Sequence, residues 1–296
     1  MRCRVAPAPL DCRRNGQRRF TVMSNVAVLS RADNADFDRN DPVSVRQAIR
    51  AGLYRRHTGM MAPGFVQANL AILPADYADE FARFCQRNPQ PCPLLAMSEP
   101  GSPRLPELAE DLDIRTDLPS YRVFKDGVAT GDVSDIRNLW RDDFVVFALG
   151  CSYSFEQAMI EAGLKLNHWE TGLEPAIYLT SIQCRPAGRF SGPMVVSMRS
   201  FKPADAIRAI QITSRFPRVH GAPVHIGLPE QIGIADVHKG WQGGPPDLRE
   251  GEIPLFWACG VTPQSVIRSA KPPISITHTP SHMLVTDLRN ASLASF

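Results

Sequence analysis

Two turns that each carry a cysteine are the first candidates for chemistry in this sequence. Cys151 stands three positions before Ser154, and Cys259 stands three positions before Thr262. An apolar run precedes each cysteine and helical spacing follows each hydroxyl residue, so both turns are predicted to lie at a helix N-terminus. Free amides there stabilise a carboxylate or a developing oxyanion. The same position can lower the pKa of a thiol, which makes Cys151 a candidate nucleophile; burial as a small hydrophobe is the alternative for both cysteines.

A second set of residues could move protons or bind an acid group. His220 and His225 flank a loop with glycine, and histidine exchanges protons near neutral pH. We expect both to line the cleft of the two turns, with burial against backbone groups as the alternative. Asp236 ends an apolar segment that we read as a strand, and it is predicted to orient a histidine. Arg199 follows a buried strand and is predicted to bind a substrate carboxylate, with an ion pair to Asp205 as the alternative.

Amide side chains complete the predicted site. Gln67 and Asn69 are two positions apart on an apolar strand, so they point to the same face. Buried amides need partners, and we interpret these two as a polar wall that orients a ligand, with a structural network as the alternative. The predicted catalytic residues are His220, His225, Asp236 and Cys151, and the predicted substrate-binding residues are Gln67, Asn69, Ser152, Ser154, Arg199, Cys259, Gly260 and Thr262.

Two strand–turn–helix units must position these residues. Residues 144–149 are an uninterrupted apolar run, which is typical of a strand covered on both faces. Ser154 is the predicted N-cap of the following helix, and Gln157 would complete a capping box. Residues 254–258 form the second apolar strand, and Thr262 is the predicted N-cap of the helix after it.

The two units indicate an internal duplication. Residues 65–73 and 194–198 are strand-like, and each runs into a Pro-Ala-Asp sequence that begins a helix. The predicted fold is α/β, a mixed sheet with two duplicated halves at about 60–165 and 187–275, and a second smaller α+β subdomain is left open. The two cysteine turns would then meet at one edge of a parallel sheet. Residues 41–296 would form the catalytic unit.

Composition limits the classes of function. The chain has 296 residues, of which 44% are hydrophobic and 21% charged, as in ordinary globular enzymes. Residues 1–23 hold six arginines and one aspartate, while the other 273 residues hold 27 basic and 29 acidic side chains. We therefore expect a flexible basic tail at 1–40, with targeting as an alternative, and no nucleic-acid partner.

Seven cysteines without a Cys-x-x-Cys pair favour reduced thiols and a cytoplasmic location. No run of 18 uncharged apolar residues predicts a membrane span. No cofactor is expected, although a divalent metal stays open because His278 and His282 are four apart and Asp236 and His238 are close in sequence; Pro280 argues against one helix carrying both histidines. A homo-oligomer is also left open.

Six segments together resemble the D-glutamate cyclase family, whose members carry the label hydro-lyase. They are GFVQANL at 64–70, FCQRNPQPCPLL at 84–95, GCSYSFE at 150–156, VVSMR at 195–199, HGAPVHIG at 220–227 and FWACGVTPQ at 256–264. The resemblance covers residues 42–287. It implies an α/β enzyme fold and dehydration of D-glutamate to 5-oxo-D-proline. It carries no catalytic assignment, so the residue roles above are expectations from residue chemistry.

The interpretation of function therefore has a leading hypothesis and two alternatives. The first is a hydro-lyase or cyclase that acts on a small acidic amino acid. The second is a metal-assisted hydrolase, or a lyase for another small carboxylate. The third is a protein that binds small carboxylates without catalysis.

Overall fold

The computed structural model describes residues 36–295, so most of the predicted basic tail lies outside the described residues. The α/β class is confirmed: this part of the chain forms two β-sheets and six α-helices, and neither sheet closes into a barrel. None of these helices is long and apolar enough to cross a membrane. The division of residues 41–296 into two duplicated halves stays a prediction.

The helices and strands have the following bounds. The α-helices are α1 (Pro42–Arg50), α2 (Ala75–Arg87), α3 (Tyr153–Glu161), α4 (Asn167–Thr171), α5 (Pro203–Thr213) and α6 (Val261–Ala270). The strands are β1 (Phe65–Pro74), β2 (Leu94–Met97), β3 (Tyr121–Lys125), β4 (Val128–Val133), β5 (Phe144–Gly150), β6 (Ala176–Gln183), β7 (Pro193–Phe201), β8 (His225–Ile226), β9 (Gln242–Gly243), β10 (Ile253–Ala258), β11 (Ser275–His278) and β12 (Leu284–Arg289).

The first sheet has the order β2-β5-β1-β11-β3-β4, with β12 also paired to β1, and the second has the order β8-β10-β7-β6-β9. Every strand pair in residues 36–295 is antiparallel. The expectation that both cysteine turns sit at one parallel edge is therefore wrong, because β5 and β10 belong to different sheets. The two sheets share a local arrangement: β5 returns antiparallel to β1, and β10 returns antiparallel to β7.

Strand β5 is covered on both faces, as its apolar run predicted. Phe144, Val146 and Ala148 pack into one core, with residues from 105–118. The alternate side chains, such as Phe147, pack into another core that also holds Phe81 of α2. The Phe81 and Phe147 rings meet edge to face, with centroids 4.8 Å apart. Full burial of each aromatic side chain contributes about 2–3 kcal/mol, so β5 is a rigid support for the turn at its end.

Both predicted helix caps are wrong by two residues. Helix α3 begins at Tyr153 with Ser152 as the N-cap, and α6 begins at Val261 with Gly260 as the N-cap. No capping box forms, because the Gln157 amide donates to Glu161 instead. The turns are thus tighter than expected, since each helix begins two residues after its cysteine.

Candidate active site

The two cysteine turns line one cavity of about 70 Å³. We call residues 150–153 the first turn and residues 259–261 the second turn. The prediction that these turns are neighbours in space is confirmed. The N-termini of α3 and α6 therefore open into the same small space. Other elements complete its lining, with Asn69, Glu174, Ser197, His220, Gln264, His278 and Ser281 among the contributing residues.

Asn69 joins the two turns. Its Nδ2 donates to the Gly150 carbonyl oxygen at 2.7 Å, which holds the first turn. The same amide packs against the second turn so closely that a Cβ on Gly260 would lie 2.3 Å from Nδ2. Position 260 therefore has no room for a side chain, and only glycine fits there. The sequence analysis selected Asn69 and Gly260 independently, and the structure brings them into contact.

His220 lies against the first turn and is almost fully buried. Its Nδ1 lies 2.8 Å from the Gln90 carbonyl oxygen, so the neutral imidazole carries its proton there. Burial, helped by the charge of Arg199, lowers the pKa of His220 to about 4, although hydrogen bonds to the Gln90 and Gly150 carbonyls oppose this. His220 is thus a neutral imidazole at physiological pH. It lines the cleft, as predicted, and it is also buried against backbone groups, as the alternative expected.

His278 lies at the end of β11 and lines the cavity near α6. The Leu70 backbone N–H donates to its Nδ1 at 3.0 Å, so the neutral ring carries its proton on Nε2. Gln264 of α6 lies 3.2 Å from that Nε2, and it is satisfied when its amide oxygen accepts the proton. Burial lowers the pKa of His278 to about 4.

The cysteine thiols do not have the lowered pKa expected at a helix N-terminus. Burial raises the pKa of Cys151 to about 12, against a smaller opposing hydrogen bond from the Tyr153 backbone. Burial also raises the pKa of Cys259. Because the thiolate is the nucleophile, a thiol that stays protonated at neutral pH is a poor one. Both cysteines line the cavity as neutral side chains, which corrects the expected activation of Cys151.

Arg199 does not face the cavity as a free cation. Its Nε donates to Glu156 Oε1 at 2.9 Å, and the two side chains are almost fully buried. Burial disfavours a charged Glu156, but the charge of Arg199 and hydrogen bonds from His168 and Trp169 outweigh it, so the pKa of Glu156 lies well below its ordinary value. The alternative pair with Asp205 is not formed, since Asp205 pairs with Arg208 at 3.2 Å, and Arg199 is not among the residues that line the cavity.

The sequence analysis missed several residues of the cavity, including Glu174, Tyr153 and Ser281. Glu174 precedes β6, Tyr153 begins α3, and Ser281 lies in the turn between β11 and β12. The Ser281 hydroxyl donates to the Glu174 carboxylate. Among the cavity's described lining residues, Glu174 is the one acidic side chain, and none is lysine or arginine. A polar residue before a strand is too common a pattern to single out Glu174.

A larger cavity of about 270 Å³ adjoins the first. Tyr153, Glu174 and Ser281 line both cavities, so they stand at the boundary. The lining of this outer cavity includes Met60 and Trp169. A substrate that enters from the outer cavity would pass these three polar side chains before it reaches the helix N-termini.

The remaining predicted residues lie elsewhere. Gln67 donates to the carbonyls of Thr58 and Met61, at 2.9 and 3.0 Å, and so holds the loop before β1. His225 is not among the cavity's lining residues, and its Nε2 lies 2.9 Å from the Leu228 carbonyl. Residues 232–236 do not form the predicted strand. Asp236 pairs with Lys239 at 3.2 Å, and is likewise absent from the lining.

The two hydroxyl residues predicted as caps have different environments. Thr262 Oγ1 accepts from the Val195 N–H at 3.0 Å and lies 3.1 Å from the Val195 carbonyl, so it ties α6 to β7. Ser154 Oγ is buried and has no hydrogen-bond partner among the described residues. Neither residue lines the cavity.

The predicted metal ligands do not cluster. In residues 36–295 no group of three or more histidine, cysteine, aspartate or glutamate side chains is arranged to hold a metal ion. His282 Nδ1 lies 2.7 Å from the Pro280 carbonyl, and His278 is held by Leu70. The expectations for cofactors and metals thus stay predictions.

Fold and cavity together define an α/β enzyme with a small polar site at two helix N-termini. The D-glutamate cyclase family model matches residues 145–287. A Bordetella petrii protein named "Putative hydro-lyase" is 60% identical over 249 residues, covering 84% of this chain and 94% of that protein. A Xanthobacter autotrophicus protein of the same name is 54% identical, covering 92% of this chain and 99% of the relative.

These identities extend over most of both chains, so this chain belongs to the D-glutamate cyclase family of hydro-lyases, which are carbon–oxygen lyases. The resemblance seen in the sequence is confirmed. Among solved structures, a nitrogen repressor-like protein from Methanococcus jannaschii aligns with 84% of this chain at 8% identity and a TM-score of 0.35, and so slight a likeness carries no argument.

Proposed function

We propose that the protein converts D-glutamate to 5-oxo-D-proline and water in the cavity between the two turns. The observation that carries this proposal is the pairing of two helix N-termini with a single carboxylate, Glu174, in one small cavity. Glutamate has two carboxylates and one ammonium group. Each carboxylate matches a helix N-terminus, and the ammonium matches Glu174.

The reaction forms a bond between the amine nitrogen and the γ-carboxyl carbon. Before attack the ammonium must lose a proton, and Glu174 is the nearest anionic acceptor that the cavity offers. Attack gives a tetrahedral oxyanion, which backbone amides of a helix N-terminus stabilise. The second nitrogen proton and the one held by Glu174 end on the departing oxygen, which leaves as water.

The attack is intramolecular, so the enzyme must fold the substrate rather than bring two molecules together. A cavity of about 70 Å³ favours a compact, ring-like conformer over an extended one. A covalent route through Cys151 is not part of the proposal, because burial raises the pKa of its thiol and an unactivated carboxylate is a poor electrophile.

The test is turnover with D- and L-glutamate, followed by mass detection of 5-oxoproline. Glu174→Gln should lower kcat by about 100-fold, within the usual contribution of general acid–base groups. Glu161→Gln is the matched control, since Glu161 is exposed at the end of α3. No product from either isomer would reject the proposal, and loss of turnover with a chelator would favour a metal-assisted reaction.

A further inference from the structure

A buried arginine reaches the cavity through two serine hydroxyls. Arg199 Nη1 donates to Ser197 Oγ at 2.7 Å, and Nη2 donates to Ser152 Oγ at 2.9 Å. Ser197 lies on β7 and Ser152 on the first turn, and both line the cavity. Arg199 itself is not among the residues that line it. The guanidinium therefore stands one residue behind the cavity wall.

Glu156 keeps the guanidinium in that place. It accepts from Nε and Nη2 of Arg199, and it also accepts from Trp169 Nε1 at 2.5 Å. Glu156 is fully buried, so turning Arg199 toward a substrate would leave this carboxylate unpaired away from water. The charge pair is thus a fixed part of the wall, and it cannot serve as a mobile carboxylate clamp.

The direction of these hydrogen bonds orients the serine protons. A hydroxyl oxygen that accepts from a guanidinium N–H must point its own proton away from the cation. Among the described contacts no protein acceptor receives the Ser152 proton, and the Ser197 hydroxyl lies beside the Cys259 thiol. The same contact explains why Ser152 occupies the N-cap of α3 but makes no capping hydrogen bond.

We propose that Ser152 and Ser197 donate hydrogen bonds to the substrate carboxylate that becomes the oxyanion, and that Arg199 is the positioning residue that aims and polarises both hydroxyls. The inference deepens the proposed function and rests on it. Hydrogen bonds from polarised donors strengthen as negative charge develops on the oxyanion. Arg199 thereby acts on the reaction without touching the substrate.

The kinetic test is a mutant cycle. Ser152→Ala should lower kcat about 10- to 100-fold, the lower range for an oxyanion donor, and should raise KM by about two- to fivefold, since the same hydrogen bond also holds the carboxylate before reaction. Arg199→Met combined with Glu156→Gln removes the buried pair together and avoids an orphan charge; it should lower kcat to a similar extent. Adding Ser152→Ala to that double variant should change kcat less than about twofold. Without Arg199 the Ser152 hydroxyl is no longer oriented, so its removal has little further effect.

Two further variants separate positioning from general damage. Arg199→Lys keeps the charge but lacks the fork that reaches both serines, so its kcat should fall between those of the wild type and the double variant. Arg137→Met with Asp135→Asn removes an exposed ion pair and should leave kcat unchanged. Independent, multiplying effects of Ser152 and the Arg199 pair would overturn the inference, as would full kcat in the folded double variant.

Binding of glutarate, measured by calorimetry, separates this inference from the proposed function. Glutarate has both carboxylates of glutamate but no amine, so it binds without reacting. Weaker glutarate binding in the Ser152→Ala, Ser197→Ala and Arg199 double variants supports the inference even if glutamate is not turned over. Equal binding by all variants overturns it while leaving cyclisation intact, and no binding to the wild type overturns it outright.

Discussion

The first and second turns follow the same local pattern, yet they are held by different forces. The second turn is closed by packing and by neutral hydrogen bonds: Gly260 lies against Asn69, and Thr262 binds the Val195 backbone. The first turn also receives the Asn69 hydrogen bond at Gly150, but it is in addition held by charge, since Ser152 accepts from Arg199, which is paired with Glu156. The comparison teaches that two similar strand–turn–helix units can share a cavity while one anchors the wall and the other supplies polarised donors.

The largest expected effect is acid sensitivity, because each turn has a buried neutral histidine beside it. The pKa of His220 and of His278 is about 4 when folded, against an ordinary value of 6.5. Below pH 6.5 these two imidazoles bind protons in the unfolded chain but stay neutral in the folded chain. The free energy of unfolding therefore falls as pH falls. Between pH 6.5 and 5 the loss is about 2 kcal/mol for each histidine.

Urea unfolding at several pH values between 7.5 and 5 measures this loss. His220→Asn and His278→Asn should each reduce the slope of the unfolding free energy against pH by about half. Wild-type stability that is flat over this range would contradict the burial of both imidazoles.

The glycines of the two turns should respond differently to a methyl group. A Cβ on Gly260 meets the Asn69 side chain, whereas a Cβ on Gly150 would lie 2.3 Å from the Arg218 carbonyl oxygen. Both alanine variants should lose about 1–3 kcal/mol, the usual cost of overpacking. Asn69→Ala should restore stability to Gly260→Ala but not to Gly150→Ala, because the second obstacle is backbone.

Thermal melting of the single and double variants tests this difference, with Asn69→Ala alone as the control. Rescue of both glycine variants, or of neither, would remove the distinction between a side-chain obstacle and a backbone obstacle.

The two hydroxyls three positions after the cysteines should differ in their contribution to stability. Thr262→Val leaves the Val195 N–H without its side-chain acceptor and should cost about 1–2 kcal/mol. Ser154→Ala removes a buried hydroxyl without a partner and should change stability by less than about 0.5 kcal/mol, or raise it slightly. Chemical denaturation of both variants gives the comparison, and equal losses would contradict it.

The smallest expected effect concerns the thiols. Because the pKa of Cys151 is about 12, Cys151→Ala should keep kcat within about threefold of wild type, and iodoacetamide should label Cys151 slowly at pH 7.5. Cys259→Ala should also keep most activity, since burial raises its pKa as well. Rapid, inactivating alkylation of either thiol at neutral pH would show that the thiolate is present and would reopen the covalent route.

Local patterns were sufficient for the parts of the molecule that depend on near neighbours. The apolar run of β5 and the strand before α2 could both be predicted, because strand burial depends on a few adjacent residues. The turns with Cys151 and Cys259 were found for the same reason. The cap positions were wrong by two residues in both helices, since α3 begins after Ser152 and α6 begins after Gly260.

Family membership was also readable from the sequence alone, because six motifs together are specific. The set of residues that line the cavity could not be predicted from the sequence. The Ser281 hydroxyl contacts Glu174 across 107 positions, and Arg199 meets Glu156 across 43. Neither pair has a local signal, and His225 had a loop position as suggestive as that of His220.

The sequence by itself therefore determined the elements, the two cysteine turns and the family. Only the tertiary structure decided which polar groups meet and in what charge state. The physical reason is that secondary structure follows from backbone propensity and apolar spacing within about ten residues, whereas pKa values and hydrogen-bond partners depend on burial and on charges that distant segments bring together. The thiol of Cys151, for which the sequence left both an activated nucleophile and a buried hydrophobe open, illustrates that difference, since burial raises its pKa to about 12.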